Sequence, residues 1–229
     1  VAAIEVFIRM TKAYFLYETG KYLVMYFIVI GLFYDGFKKK AFPYGLYFLL
    51  LMPAIIVTFE NISYDLNFRK AILFNISGPL TLSLVAIYTY GKSLTFKDFL
   101  SVLNYIIYPI IAMTVYIILY NPDLRDIITN TAANSAASGG YGPNQVATVL
   151  GLGIFVLFSR LLIPYKLKIV HLLMMFFLAA MTYRGILTFS RGGLLTAAIM
   201  IIAFLFLFFF LTNLKTKAKS ISKLIGVGG

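Results

Sequence analysis

The chain has 229 residues, 61% of them hydrophobic and 12% charged, with a mean hydropathy of +0.91 and a net charge of +12. A soluble domain keeps about a quarter of its residues charged, so this composition excludes an ordinary soluble globular protein. The basic residues, which in a soluble chain would suggest nucleic acid, bunch at the ends of apolar runs and are assigned to a membrane surface instead.

In chain order, Val1–Gly20 carries Glu5, Arg9 and Lys12 at near-helical spacing, as on an amphipathic helix lying at an interface or against other helices. Solidly apolar segments follow. They predict spans at Tyr22–Phe37, Ala41–Phe59, Ala71–Gly91, Phe99–Tyr120, Pro143–Leu162, Leu167–Tyr183 and Gly193–Thr212. The uncharged runs among them, Ala41–Phe59, Ala71–Gly91, Phe99–Pro122 and Gly192–Leu214, are each close to the ~20 residues a helix needs to cross a hydrocarbon core of about 30 Å. A β-barrel would show alternating segments of roughly 10 residues, so the expected fold is an all-α integral membrane bundle of about seven spans. Its divisions are residues 1–21 as an N-terminal helix, 22–214 as the bundle and 215–229 as a basic cytoplasmic segment. Neither Val1 nor Val227-Gly228-Gly229 resembles a natural terminus, so the chain is read as an internal piece of a longer protein.

Charge fixes the expected orientation. With Lys38-Lys39-Lys40 in the cytoplasm, the inside loops hold twelve basic residues and the outside loops five. This is the asymmetry of the positive-inside rule, and shifting the assignment by one span would invert it. Residues 60–70, 121–142 and 184–193 then share the external face.

Two stretches there could carry chemistry. In Thr182-Tyr-Arg-Gly-Ile-Leu-Thr-Phe-Ser-Arg-Gly-Gly193, Lys168 and Arg184 bracket only 15 residues. Arg184 should therefore lie at or below the outer membrane surface, where a charge costs several kcal/mol unless it snorkels or meets an anion. Arg184 and Arg191 would share a helical face if one helix ran through both. Ser190 fits an N-cap for the last span, with Arg191 in its first turn. Free N–H groups, a helix dipole and a guanidinium suited to bidentate phosphate contacts would then converge. Gly192 and Gly193 would admit a bulky anion to the backbone. These residues predict a diphosphate site at the outer edge of a membrane, against the simpler alternative that both arginines only snorkel from span ends.

The second stretch is Asn134-Ser-Ala-Ala-Ser-Gly-Gly-Tyr-Gly-Pro-Asn-Gln145. Pro143 suits the first position of a helix, with Gly142 ahead of it. Asn144 and Gln145 then offer amides to a sugar or phosphate, and Arg125 shares the loop. Otherwise the segment is a connector. One histidine and no cysteine cannot form a zinc cluster, so neither metal nor cofactor is expected.

Ser138-Gly-Gly-Tyr-Gly-Pro-Asn-Gln-Val146 ahead of one apolar span, and Leu187-Thr-Phe-Ser-Arg-Gly-Gly-Leu194 opening another, resemble the O-antigen ligase/polymerase family, in the form seen in Bacteroidetes-type members. The resemblance covers roughly residues 22–213. It implies a metal-independent glycosyltransferase of the GT-C type in the bacterial inner membrane, active on the periplasmic face. Its donor would be a glycan on undecaprenyl diphosphate. Its acceptor would be lipid A–core for a ligase, or another lipid-linked glycan for a polymerase. The family's diphosphate-binding Arg after Ser carries over to Arg191, and Arg184 offers a second phosphate contact. Family members continue into a large external loop bearing further Arg and His residues, so a catalytic base is not expected within these residues.

Two rivals from other classes stand beside it. A lipid-linked glycan transporter would place its cations along a central cavity, and ion-coupled transporters place carboxylates at mid-membrane. The eight acidic residues here fall in loops, at span ends or in the N-terminal stretch. A non-catalytic membrane subunit of a larger complex is the other rival.

Overall fold

The computed structural model describes residues 2–13, 16, 19–61, 68–120, 135–163 and 167–211. Among these the regular structure is entirely helical, with eight α-helices and no strand. They are α1 (Ala2–Met10), α2 (Thr19–Asp35), α3 (Phe42–Asn61), α4 (Phe68–Thr89), α5 (Phe96–Tyr120), α6 (Pro143–Leu161), α7 (Lys168–Leu187) and α8 (Arg191–Leu211).

Five helical segments are long and apolar enough to cross a membrane: Lys39–Thr58, Phe96–Tyr120, Pro143–Leu161, Lys168–Leu187 and Arg191–Leu211. Of the seven expected spans, the other two fall on α2 and α4. The first has only 17 residues, because the chain turns at Gly36 with φ +74. The second is diluted by Arg69, Lys70, Asn75, Ser77, Thr81 and Ser83. The basic segment 215–229 lies outside the described residues.

The chain forms two compact units, residues 15–95 and residues 2–14 with 96–229. In the first, α2 and α3 pack on α4, and the Ser83 hydroxyl donates to the Tyr44 carbonyl at 2.6 Å. At one end, Lys38 Nζ donates to the Gly91 carbonyl at 3.1 Å, and Lys92 pairs with Asp35 at 2.6 Å. The Asp35 carboxylate, and after it Tyr88, hold the Lys92 ammonium above the ordinary lysine range.

In the second unit α6 is central, packed by α5, α7 and α8. Ile110, Met113, Ile117, Leu150, Leu157 and Met181 are fully enclosed. The α6–α8 crossing is made by small residues. A side chain at Gly193 would strike the backbone of Ala147 and lie 2.6 Å from the Thr148 nitrogen, and one at Gly151 would strike the Gly193 carbonyl. Ala147 and Gly151 on one helix, and Gly193 and Ala197 on the other, form two small-xxx-small rows. This is how helices in lipid gain contact, since burial of apolar surface offers no drive there. The amphipathic α1 lies against other helices, burying Ala3, Val6 and Met10 beside α5 and α6, with Arg9 and Glu5 paired at 3.0 Å.

Candidate functional site

Four helix termini meet at one end of the second unit: the C-termini of α5 and α7 and the N-termini of α6 and α8. Local sequence explains each. Pro143 opens α6 at its first turn behind Gly142, where a missing N–H costs nothing. The loop before it folds into a 3-10 turn at Ala136–Ser138, closed by Gly139 at φ +69. Gly139 is boxed in: a side chain there would meet Met10 Cε at 2.6 Å and Tyr116 at 3.4 Å. Ser138 is fully buried, its hydroxyl within reach of the carbonyls of Ser135, at 3.0 Å, and Tyr141. Gln145 folds back over Gly142.

The turn from α7 to α8 is three residues long. Thr188, fully buried, donates from Oγ1 to the Gly185 carbonyl at 2.7 Å and accepts the Ser190 N–H at 3.3 Å. Between them Phe189 takes the left-handed conformation, φ +52. That conformation costs a bulky L-residue roughly 1–2 kcal/mol, which the two Thr188 hydrogen bonds offset. Because the backbone reverses here, no helix runs from Arg184 to Arg191, and the two do not share a helical face.

The seven site residues expected from the sequence separate accordingly. Arg191 opens α8 and is exposed, with no hydrogen-bond or ion-pair partner among the described residues. Gly192 follows it, and a side chain there would meet nothing within 4 Å. Gly193, by contrast, is consumed by the α6 crossing and faces no ligand space. Ser190 is 6% exposed, and its hydroxyl donates to Asn144 Oδ1 at 2.9 Å, so the first turns of α6 and α8 are tied side by side. Asn144 and Gln145 are exposed in the first turn of α6. Arg184 is 6% exposed and donates from Nη2 to the Ile118 carbonyl at 3.4 Å, in the last turn of α5. Carbonyls there have no partner within their own helix, and the dipole favours a cation. Arg125 lies outside the described residues.

Chemically, this end offers two adjacent helix N-termini with unsatisfied N–H groups, an exposed arginine at the first position of α8 and open backbone at Gly192. Such a set has the chemistry to hold an anion. No group of three His, Asp or Glu able to hold a metal occurs among the described residues. An apolar groove of about 550 Å³ runs along α7 from His171 to Ile186, lined also by Phe158, Leu161, Leu178 and Tyr183.

Sequence reasoning missed Thr188, Phe189 and Tyr116. A threonine two residues before an N-cap serine was the only signal for the first. The others are set by backbone reversal and by contact with α1, which no local pattern encodes. Comparison with protein-family models, with curated proteins and with solved structures gives no match to this chain.

Proposed function

We propose that this chain is a membrane-embedded glycosyltransferase of the O-antigen ligase type. It moves a glycan from undecaprenyl diphosphate to lipid A–core at the periplasmic face of the bacterial inner membrane. The observation that carries the proposal is the pairing of the α6 and α8 N-termini through Ser190 and Asn144, with Arg191 exposed beside them.

The reading has a physical logic. Breaking a sugar–diphosphate bond develops negative charge on the leaving phosphate. Donors already fixed in place stabilise that charge without reorganising. Arg191 and the first-turn N–H groups of α6 and α8 are such donors. Arg184 holds the end of α5 and so keeps the third wall of the site in position. An acceptor hydroxyl attacks the anomeric carbon, the carbon–oxygen bond to the diphosphate breaks, and the hydroxyl proton passes to a general base. The groove along α7 suits an isoprenoid tail: it is apolar, and it reaches the last helical turn before the Thr188–Ser190 turn.

The topology belongs to the same proposal. Counting α2 and α4 as spans gives seven, and the charge asymmetry then puts the four-terminus end outside, where lipid-linked glycans are polymerised and ligated.

Arg191→Ala in the intact cell should abolish surface glycan attachment while leaving the protein's abundance unchanged, as read by glycan staining and immunoblot. Normal glycan display removes Arg191 from the site. The lipid and glycan profile of a deletion strain then sets the acceptor: lipid-linked long chains with bare core mark a ligase, and single repeat units on the core mark a polymerase.

A further inference from the structure

The contacts at this end close a circuit: Tyr120 beside Gly140, Asn144 with Ser190, and Arg184 with Ile118. Most members are polar or backbone groups already accounted for. Tyr120 is not. It is the last residue of α5, which at 25 residues is about 37 Å long, longer than a hydrocarbon core of about 30 Å, so its end reaches the headgroup region. Its ring stacks on Tyr116 with centroids 5.4 Å apart and planes inclined by 22°. Tyr116 is itself held, its hydroxyl donating to the Met10 carbonyl at 3.3 Å and its ring meeting Phe7 edge-on at 5.6 Å. Tyr120 nevertheless stays 48% exposed, and its hydroxyl has no hydrogen-bond partner among the described residues. Gly140, at φ +81, passes close to that hydroxyl: a side chain there would lie 3.5 Å from it.

We infer that Tyr120 is a sugar-stacking platform at the edge of the site, braced from behind by Tyr116. This rests on the glycan-transfer reading and deepens it by naming the part of the donor or acceptor that is held. A pyranose presents a face of C–H bonds with partial positive charge, and an aromatic ring presents a negative face. A ring braced on one side and open on the other loses little freedom when a sugar lies on it, and the free hydroxyl reaches the sugar's own hydroxyls.

The chain has no tryptophan, so Tyr120→Trp in the full chain, reconstituted in lipid vesicles, is a single tryptophan probe that retains the stacking surface. Titration with maltotriose and chitotriose, with sorbitol as control, should give a saturable change in emission with at least one trisaccharide and none with sorbitol. Emission that ignores both trisaccharides and is quenched by brominated acyl chains makes Tyr120 a lipid-facing belt residue and overturns the inference. In cells, Tyr120→Ala should lower glycan transfer roughly 3- to 10-fold, while Tyr120→Phe stays within about 2-fold because the ring remains. Equal loss in both variants overturns stacking, as does no loss in either while Arg191→Ala still abolishes transfer; in both cases the transfer reading stands. No effect of Tyr120→Ala and none of Arg191→Ala sinks both.

Discussion

Arg184 and Arg191 are the same residue type seven positions apart, yet their surroundings assign them different work. Arg184 is enclosed and directed at the Ile118 carbonyl, so removing it strips a charge-assisted hydrogen bond from the end of α5 and leaves a void. Arg184→Ala should therefore cost about 2 kcal/mol in thermal or chaotrope unfolding in detergent micelles, and Arg184→Lys about half of that, because the charge stays and the planar fork is lost. Arg191→Ala should leave unfolding unchanged within about 0.5 kcal/mol, as for exposed positions generally. Matching losses of stability for the two alanine variants would mean that Arg184 does not hold the end of α5. That Arg191 opens a helix was legible in the sequence, because a Ser-Arg-Gly turn stands at the head of an apolar run. The enclosure of Arg184 was not legible: the short spacing from Lys168 bears on depth in a membrane, not on which carbonyl of α5 receives the guanidinium.

At the level of helices, the glycine pair at the start of α8 is the sharpest case. The sequence suggests two equivalent openings for an anion. The crossing with α6 makes them opposites, since Gly193 touches the Ala147 backbone while Gly192 borders open space. Gly192→Ala should stabilise the protein slightly, by up to about 1 kcal/mol, through helix propensity. Gly193→Ala should destabilise it by about 1–3 kcal/mol through overpacking between two backbones, neither of which can rotate away. Equal midpoints for the two variants in a thermal melt would mean that α6 and α8 do not cross this closely. The helix starts themselves were readable from the chain, as Gly142-Pro143 and Ser190-Arg191 stand where α6 and α8 begin. The Ser190 hydroxyl was expected to serve its own helix; instead it donates to Asn144 of α6. A bond between residues 46 apart has no local signature.

For the whole molecule the decisive question is which side of the membrane each loop occupies. The chain contains no cysteine, so single cysteines report without a background. Ser135 and Ser93 are both exposed, the first in the loop before α6 and the second in the loop before α5. On the proposed orientation, Ser135→Cys should react with a membrane-impermeant maleimide in intact spheroplasts, and Ser93→Cys only after permeabilisation. The reverse pattern would place Arg191 in the cytoplasm and remove the periplasmic assignment with it.

The amino-acid sequence alone determined the helical class, the positions of the helices and the residues that open α6 and α8. These follow from uncharged run length and from Pro, Gly and Ser at run ends, which act through the backbone of their own segment. Tertiary structure decided which polar groups remain available. It withdrew Gly193 into a helix crossing, turned Ser190 towards Asn144, enclosed Arg184 and left Arg191 and Tyr120 open. Availability depends on neighbours brought together from distant parts of the chain, and hydrophobic periodicity carries no information about them.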